Sequence, residues 1–270
     1  MVRGVGLDWS SLMRLHFFEF EDLTWFPNVI RVGGTDYLRY ILITTEVYKP
    51  CIKLLNEALK KTGETKIIDL CSGGGGYIEQ VCNGLEEISS ENISFTLTDK
   101  FPNIETYKLL QNKTNGKINF DSRSVDAANV PADLKGVRTM FSAIHHFQPV
   151  QVKSVLQNAV DNNAPIAIFD GGDTSIFGVL GIIILHPIIF FLFTPFFKPF
   201  KFSRLFFTYI IPLIPLYTIW DGCVSIMRLY NPGELLKIAN EVSLTGYNWS
   251  AGKTKSRFGL HATYLIGIPR

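Results

Sequence analysis

The chain has 270 residues, of which 47% are hydrophobic and 19% charged, and its formal net charge is +2. That length can bury a sizeable core, while the near-neutral balance argues against a nucleic-acid partner, which would want a strongly basic face. The four cysteines, Cys51, Cys71, Cys82 and Cys223, form no C-x-x-C pair and no metal spacing with the five histidines, so no metal is expected and the thiols read as reduced, in a cytosolic compartment.

Residues 1–47 read as an N-terminal helical cap. Asp8, Arg14, Glu19, Glu21 and Asp22 interrupt its apolar residues, so no signal-peptide core is expected. The run 16–27 mixes acids with Phe17, Phe18, Phe20, Trp25 and Phe26. Carboxylates and ring faces both attract a cation, although plain packing onto the domain behind accounts for the aromatics equally well. Asp36 and Arg39 stand at helical spacing and read as a helix-surface pair.

The core begins at about Tyr48 and runs to 175. Its most informative stretch is Ile67-Ile68-Asp69-Leu70-Cys71-Ser72-Gly73-Gly74-Gly75-Gly76, an apolar strand that ends in an acid and a glycine turn. Glycine lets the backbone reach positive φ and lets a ligand lie against the peptide planes. A helix over 77–85 follows. A dinucleotide fingerprint needs its third glycine where this chain has Ile78, which weakens a nicotinamide reading. The segment resembles the first motif of class I S-adenosylmethionine-dependent methyltransferases, an acid followed by three alternating glycines. Here these are Asp69, Cys71 in the first glycine place, Gly73 and Gly75. The resemblance implies that these four shape the methionine end of a bound S-adenosylmethionine; the cysteine departs from the pattern but is small.

Further strands are expected over 93–99, 117–125, 136–143 and 165–170. The first ends in Asp99, which lies 24 positions after Gly75. An acid at that place can accept both ribose hydroxyls, the role the resemblance assigns to it. Asp126 and Ala127, after the third strand, match the place where the family meets the adenine amino group. His145 and His146 follow the fourth strand and are the candidate catalytic groups, since an OH or ammonium acceptor must lose a proton. On an extended chain neighbouring side chains face opposite ways, so only one of the two is expected to meet substrate. Asn231, Pro232 and Glu234 start a helix, and strands over 247–254 and 261–268 complete the pattern. The fold class is therefore α/β, a doubly wound, mostly parallel seven-stranded sheet.

Residues 176–220 interrupt that core as a hydrophobic helical insertion, and 221–270 return to it. Positions 176–197 hold 22 residues without Asp, Glu, Lys or Arg, and 205–220 another 16, broken by Pro212 and Pro215. The strands on both sides share one sheet, so any bilayer crossings must be even in number. Two full spans would leave Lys198, Lys201 and Arg204 on the far side, against the usual bias. A re-entrant or surface-lying hairpin fits better, with those cations and Tyr209, Tyr217 and Trp220 near headgroups. A buried lid or a dimer interface is the other reading. The expectation is methyl transfer to a hydrophobic or lipid-linked small molecule, by a protein peripheral or monotopic on the cytoplasmic membrane face. A soluble methyltransferase with an apolar lid, a nicotinamide-dependent oxidoreductase and a non-catalytic membrane adaptor remain as alternatives.

Overall fold

The computed structural model describes residues 17–198, 200–243 and 245–270. Positions 1–16 of the expected cap, with Asp8 and Arg14, lie outside them. Within the described residues the sheet has seven strands: β1 (Lys66–Leu70), β2 (Ser94–Asp99), β3 (Ile118–Ser124), β4 (Val137–Phe141), β5 (Ile166–Gly171), β6 (Tyr247–Lys255) and β7 (His261–Pro269). Their order is β3-β2-β1-β4-β5-β7-β6. The first five run parallel, whereas β7 pairs antiparallel with both β5 and β6. This is the doubly wound, mostly parallel sheet expected from the sequence.

Short apolar runs form these strands because both faces of the central ones are covered. In β1, successive residues Ile67 and Ile68 enter different clusters. Ile67 packs with Phe95, Val137 and Phe169 under α2 (Cys51–Thr62), α3 (Ile78–Ile88) and α4 (Ile104–Lys113). Ile68 packs with Met140, Ile166 and Ile168 under α5 (Pro149–Asp161) and α9 (Pro232–Val242). A reciprocal capping box between Asn231 and Glu234 starts α9, as its sequence predicts.

The chain leaves the sheet after β5 as α6 (Ile176–Phe193), a short α7 (Phe202–Leu205) continued by a π-helical turn Phe206–Ile210, and α8 (Leu213–Arg228). Pro212 supplies no N–H to a continuing ladder, and the axis bends by 81° between 202–210 and 213–228. One helix then runs across position 220, where insertion and core were expected to divide. A third hydrophobic cluster roots the insertion on α1 (Asn28–Thr44) through Tyr37, Phe190, Phe197, Ile214 and Tyr217. Tyr37 stacks on Phe190 with ring centroids 3.9 Å apart. Gly33 and Gly34 open the notch that admits α8: a Cβ on Gly34 would stand 1.6 Å from the Tyr217 hydroxyl.

Two expectations about the insertion need correction. Lys201 and Arg204 do not both project toward headgroups; their nitrogens lie 3.0 and 2.6 Å from Asp36 Oδ2, and Arg204 is 1% exposed. Asp36 is accordingly no surface residue but the buried anchor of the hairpin on α1. Tyr217 is also buried, its hydroxyl donating to the Arg31 carbonyl oxygen at 3.0 Å. The outer face still presents Phe177, Ile184, Leu192, Phe202, Ile210 and Leu216 to solvent. Among the described residues one helix, Ile176–Phe196, is long and apolar enough to cross a membrane, and almost none of it is buried.

Candidate functional site

The glycine turn lies where β1 gives way to α3, at the carboxyl edge of the sheet. Cys71, Gly73 and Gly75 all take positive φ, at 55°, 50° and 60°. Cysteine therefore adopts the conformation that its glycine place demands. A Cβ built on Gly73 or Gly74 meets nothing within 4 Å, so open space lies directly over the peptide planes. Gly75 is different, because Leu110 of α4 already covers it at 2.7 Å. Arg39 of α1 lies across Gly76, its side chain 2.6 Å from where a Cβ would stand.

Asp69 holds this turn from beneath. It is fully buried, and accepts hydrogen bonds from the Ser72 hydroxyl at 2.6 Å and the Thr139 hydroxyl at 2.7 Å. Burial raises its pKa to about 7 despite those two donors. Burial also raises the Cys71 thiol, which stays protonated, with the acids Asp99, Asp69 and Asp126 adding to the shift. Asp99 accepts the Gly73 N–H at 2.9 Å on one oxygen and the Phe101 N–H at 2.8 Å on the other. Each carboxylate oxygen keeps a further lone pair for hydroxyl donors. Asp126 accepts the Ala128 N–H at 2.9 Å and pairs with Lys100 at 3.0 Å. The Ala127 side chain is buried among the second cluster, so only its backbone can reach a ligand. Phe101, 79% exposed and bonded to Asp99 through its own N–H, is an aromatic neighbour that no local motif signals.

The two histidines do not face opposite ways. After β4 the chain turns, with Ser142 at φ 47°, into a 3-10 turn Ile144–His146 that brings the imidazoles together at a 4.3 Å centroid separation. Alternation applies to extended backbone, and here the backbone is helical. Buried His145 pairs through Nδ1 with Asp170, at the end of β5, at 2.9 Å. His146 Nδ1 lies 3.1 Å from both Glu19 and Asp22 of the N-terminal segment. Burial opposes its charge, but the Asp22 hydrogen bond and the field of Glu19 prevail and push its pKa to about 9.

Helix α8 fastens that segment in place. The N–H groups of Phe20 and Glu21 donate to the Asp221 carboxylate at 2.8 and 3.0 Å. Ser225 donates to Glu19 at 3.0 Å, and Arg228 pairs with Asp22 at 2.9 Å and Glu19 at 3.3 Å. Glu19, Asp22, Asp170, Asp221 and Arg228 thus join the histidines in one cluster. The sequence signalled Glu19 and Asp22 only as part of a mixed aromatic and acidic segment, because α8 meets that segment from some 200 residues away.

No family model matches the chain, and no curated protein matches it in sequence. Solved structures do resemble it. An O-methyltransferase from neocarzinostatin biosynthesis, in complex with S-adenosylmethionine and 2-hydroxy-5-methyl naphthoic acid, superposes with a TM-score of 0.51 at 10% identity, over 90% of this chain and 59% of its own. The chain spans about three fifths of that protein. Magnesium protoporphyrin IX methyltransferase from Synechocystis PCC 6803, with S-adenosylhomocysteine (SAH) bound, gives 0.46 at 12% identity, over 92% of this chain and 88% of its own. The chain has the α/β fold of class I S-adenosylmethionine-dependent methyltransferases.

Proposed function

We propose that this chain transfers a methyl group from S-adenosylmethionine to a hydrophobic or lipid-linked small molecule at a membrane surface. The observation that carries the reading is the open space over Gly73 and Gly74, bordered by the Asp99 carboxylate at the ligand-binding edge of the sheet. Cys71, Gly73 and Gly75 shape the methionine end, with Asp69 fixing the turn below. Asp99 receives ribose hydroxyls, while Asp126, the Ala127 backbone and the Phe101 ring border adenine. The bound donor supplies an activated methyl group, so the residues chiefly bind, orient and exclude water. Holding the acceptor in line can lower the barrier by about 7–11 kcal/mol. The cluster around His145 and His146 stands at the acceptor end, where an OH or ammonium group must lose its proton.

The insertion supports the membrane half of the reading. It roots at the end of β5, on the same edge as the site, and presents a broad apolar face rimmed by Lys198, Tyr209 and Trp220. A soluble enzyme with an apolar lid is the second reading, favoured by the burial of Phe190 and Phe197 against Tyr37. Two measurements test these claims separately. Calorimetry should find saturable binding of SAH, weakened at least about tenfold by Asp99→Asn, and no binding of NAD. In flotation assays the chain should rise with phosphatidylglycerol-containing vesicles, and Phe177→Asp with Phe202→Asp should return it to the aqueous fraction. Absence of binding by donor and product alike would overturn the methyl-transfer reading; failure to float would remove only its membrane part.

A further inference from the structure

The carboxylates facing His146 sort their oxygens into two sets. Arg228 Nη1 takes Glu19 Oε1 at 3.3 Å and Asp22 Oδ2 at 2.9 Å, and the Ser225 hydroxyl also binds Glu19 Oε1 at 3.0 Å. The remaining oxygens, Glu19 Oε2 and Asp22 Oδ1, both stand 3.1 Å from His146 Nδ1. Outer oxygens are thus oriented by a guanidinium and a hydroxyl, and inner ones converge on a ring nitrogen. His145 completes the convergence. Its Nδ1 is engaged by Asp170 at 2.9 Å, which leaves Nε2 as its available donor. One donor atom each from Glu19, His145 and His146 lies within 4.8 Å of the others.

We propose that Glu19, His145 and His146, with Asp22 beside them, form a binding site for a divalent transition-metal cation. Ligand atoms about 2.1 Å from such an ion stand roughly 3 Å apart at adjacent corners of its coordination shell, which is the spacing found between His146 and the two carboxylates. Two imidazoles and a carboxylate, with no thiolate, suit zinc, manganese or iron(II). The Asp170 contact is the carboxylate–histidine support that ligating imidazoles use to fix tautomer and ring orientation, and Arg228 and Ser225 do the same for Glu19. Arg228 Nη1 stays at the border, 3.5 Å from His146 Nδ1. The site joins pieces that neither Cys/His spacing nor any local motif connects. It rests on the reading of this edge as the acceptor end, where the ion would offer a coordination position to the acceptor's oxygen or nitrogen.

The full chain, stripped with a chelator, is titrated with zinc, manganese and cobalt(II) salts alone. We expect one equivalent of tight binding by calorimetry and visible absorption bands on cobalt addition. His145→Ala and Glu19→Gln should each weaken binding by more than the roughly 10- to 100-fold that loss of a mere outer-shell partner costs. His261→Ala, which removes an imidazole paired with Asp173 at the partly exposed start of β7, should leave it unchanged. SAH binding, measured on every variant, reports a folded cofactor site independently. Failure of the wild-type chain to bind any of the three ions saturably, or binding that survives both ligand substitutions, would overturn the site while leaving the methyl-transfer reading intact.

Discussion

Cys71 occupies a left-handed backbone position at φ 55°, where a β-carbon costs about 1–2 kcal/mol that glycine does not incur. Glycine would in turn give the unfolded chain more freedom, worth about 0.4–1 kcal/mol. Cys71→Gly should therefore raise stability by about 0.5–1 kcal/mol in urea unfolding, whereas Cys71→Val should lower it. Ser142, at φ 47°, carries a similar strain one turn before the histidine pair, and its hydroxyl meets Tyr48, which also accepts the Gly171 N–H at 2.9 Å. The same strain decides what could be foreseen. Asp69, Gly73, Gly75 and Asp99 were legible because a glycine turn between strand and acid has few uses. The side of the chain on which His146 emerges depended on a positive φ at a serine, a residue type that gives no warning of one.

Among the elements, the hairpin shows best how one acid can fix a large insertion. Asp36 receives Lys201 and Arg204 together, with Arg39 3.4 Å away on its other oxygen. Removing one partner of a buried pair leaves its counterpart uncompensated, at a cost of about 3–5 kcal/mol. Asp36→Ala should thus destabilise the chain by that order in urea unfolding and expose the 198–204 segment to limited proteolysis before the sheet unfolds. Gly34→Ala should act at the same joint, forcing α1 from α8 for about 1–3 kcal/mol. Strands and caps were readable because their signals are local: buried runs, Asn231 with Glu234, the proline break at 212. Asp36 was not, because i,i+3 spacing to Arg39 suggests a surface pair and says nothing of cations 165 and 168 positions onward.

Across the whole molecule, buried acids set the response to pH. Desolvation lifts Asp69 to about 7 and Asp221 to about 6 from an ordinary 3.8. A raised pKa means that the folded chain holds its proton more tightly than the unfolded one. The resulting stability is complete below about pH 4 and is lost as pH climbs through 6 and 7. In the metal-free chain His146, raised to about 9, extends the decline, its share being present below 6.5 and lost as pH passes 9. Acids held low, such as Asp22 at about 2, act only below the ordinary carboxylate range. Urea midpoints should therefore fall from about pH 4 toward pH 9, and Asp69→Asn should flatten the slope between 4 and 7. The topology also orders events during synthesis. Strand β5 keeps one edge unpaired until β7 arrives about 90 residues later, and the apolar hairpin emerges in between. At ribosomal speeds of roughly 5–20 residues per second, the nascent chain shows a bare strand edge and a greasy arm together for about 5–20 seconds. Recombinant yield should thus depend on what meets that arm first, a chaperone, a bilayer or another nascent copy.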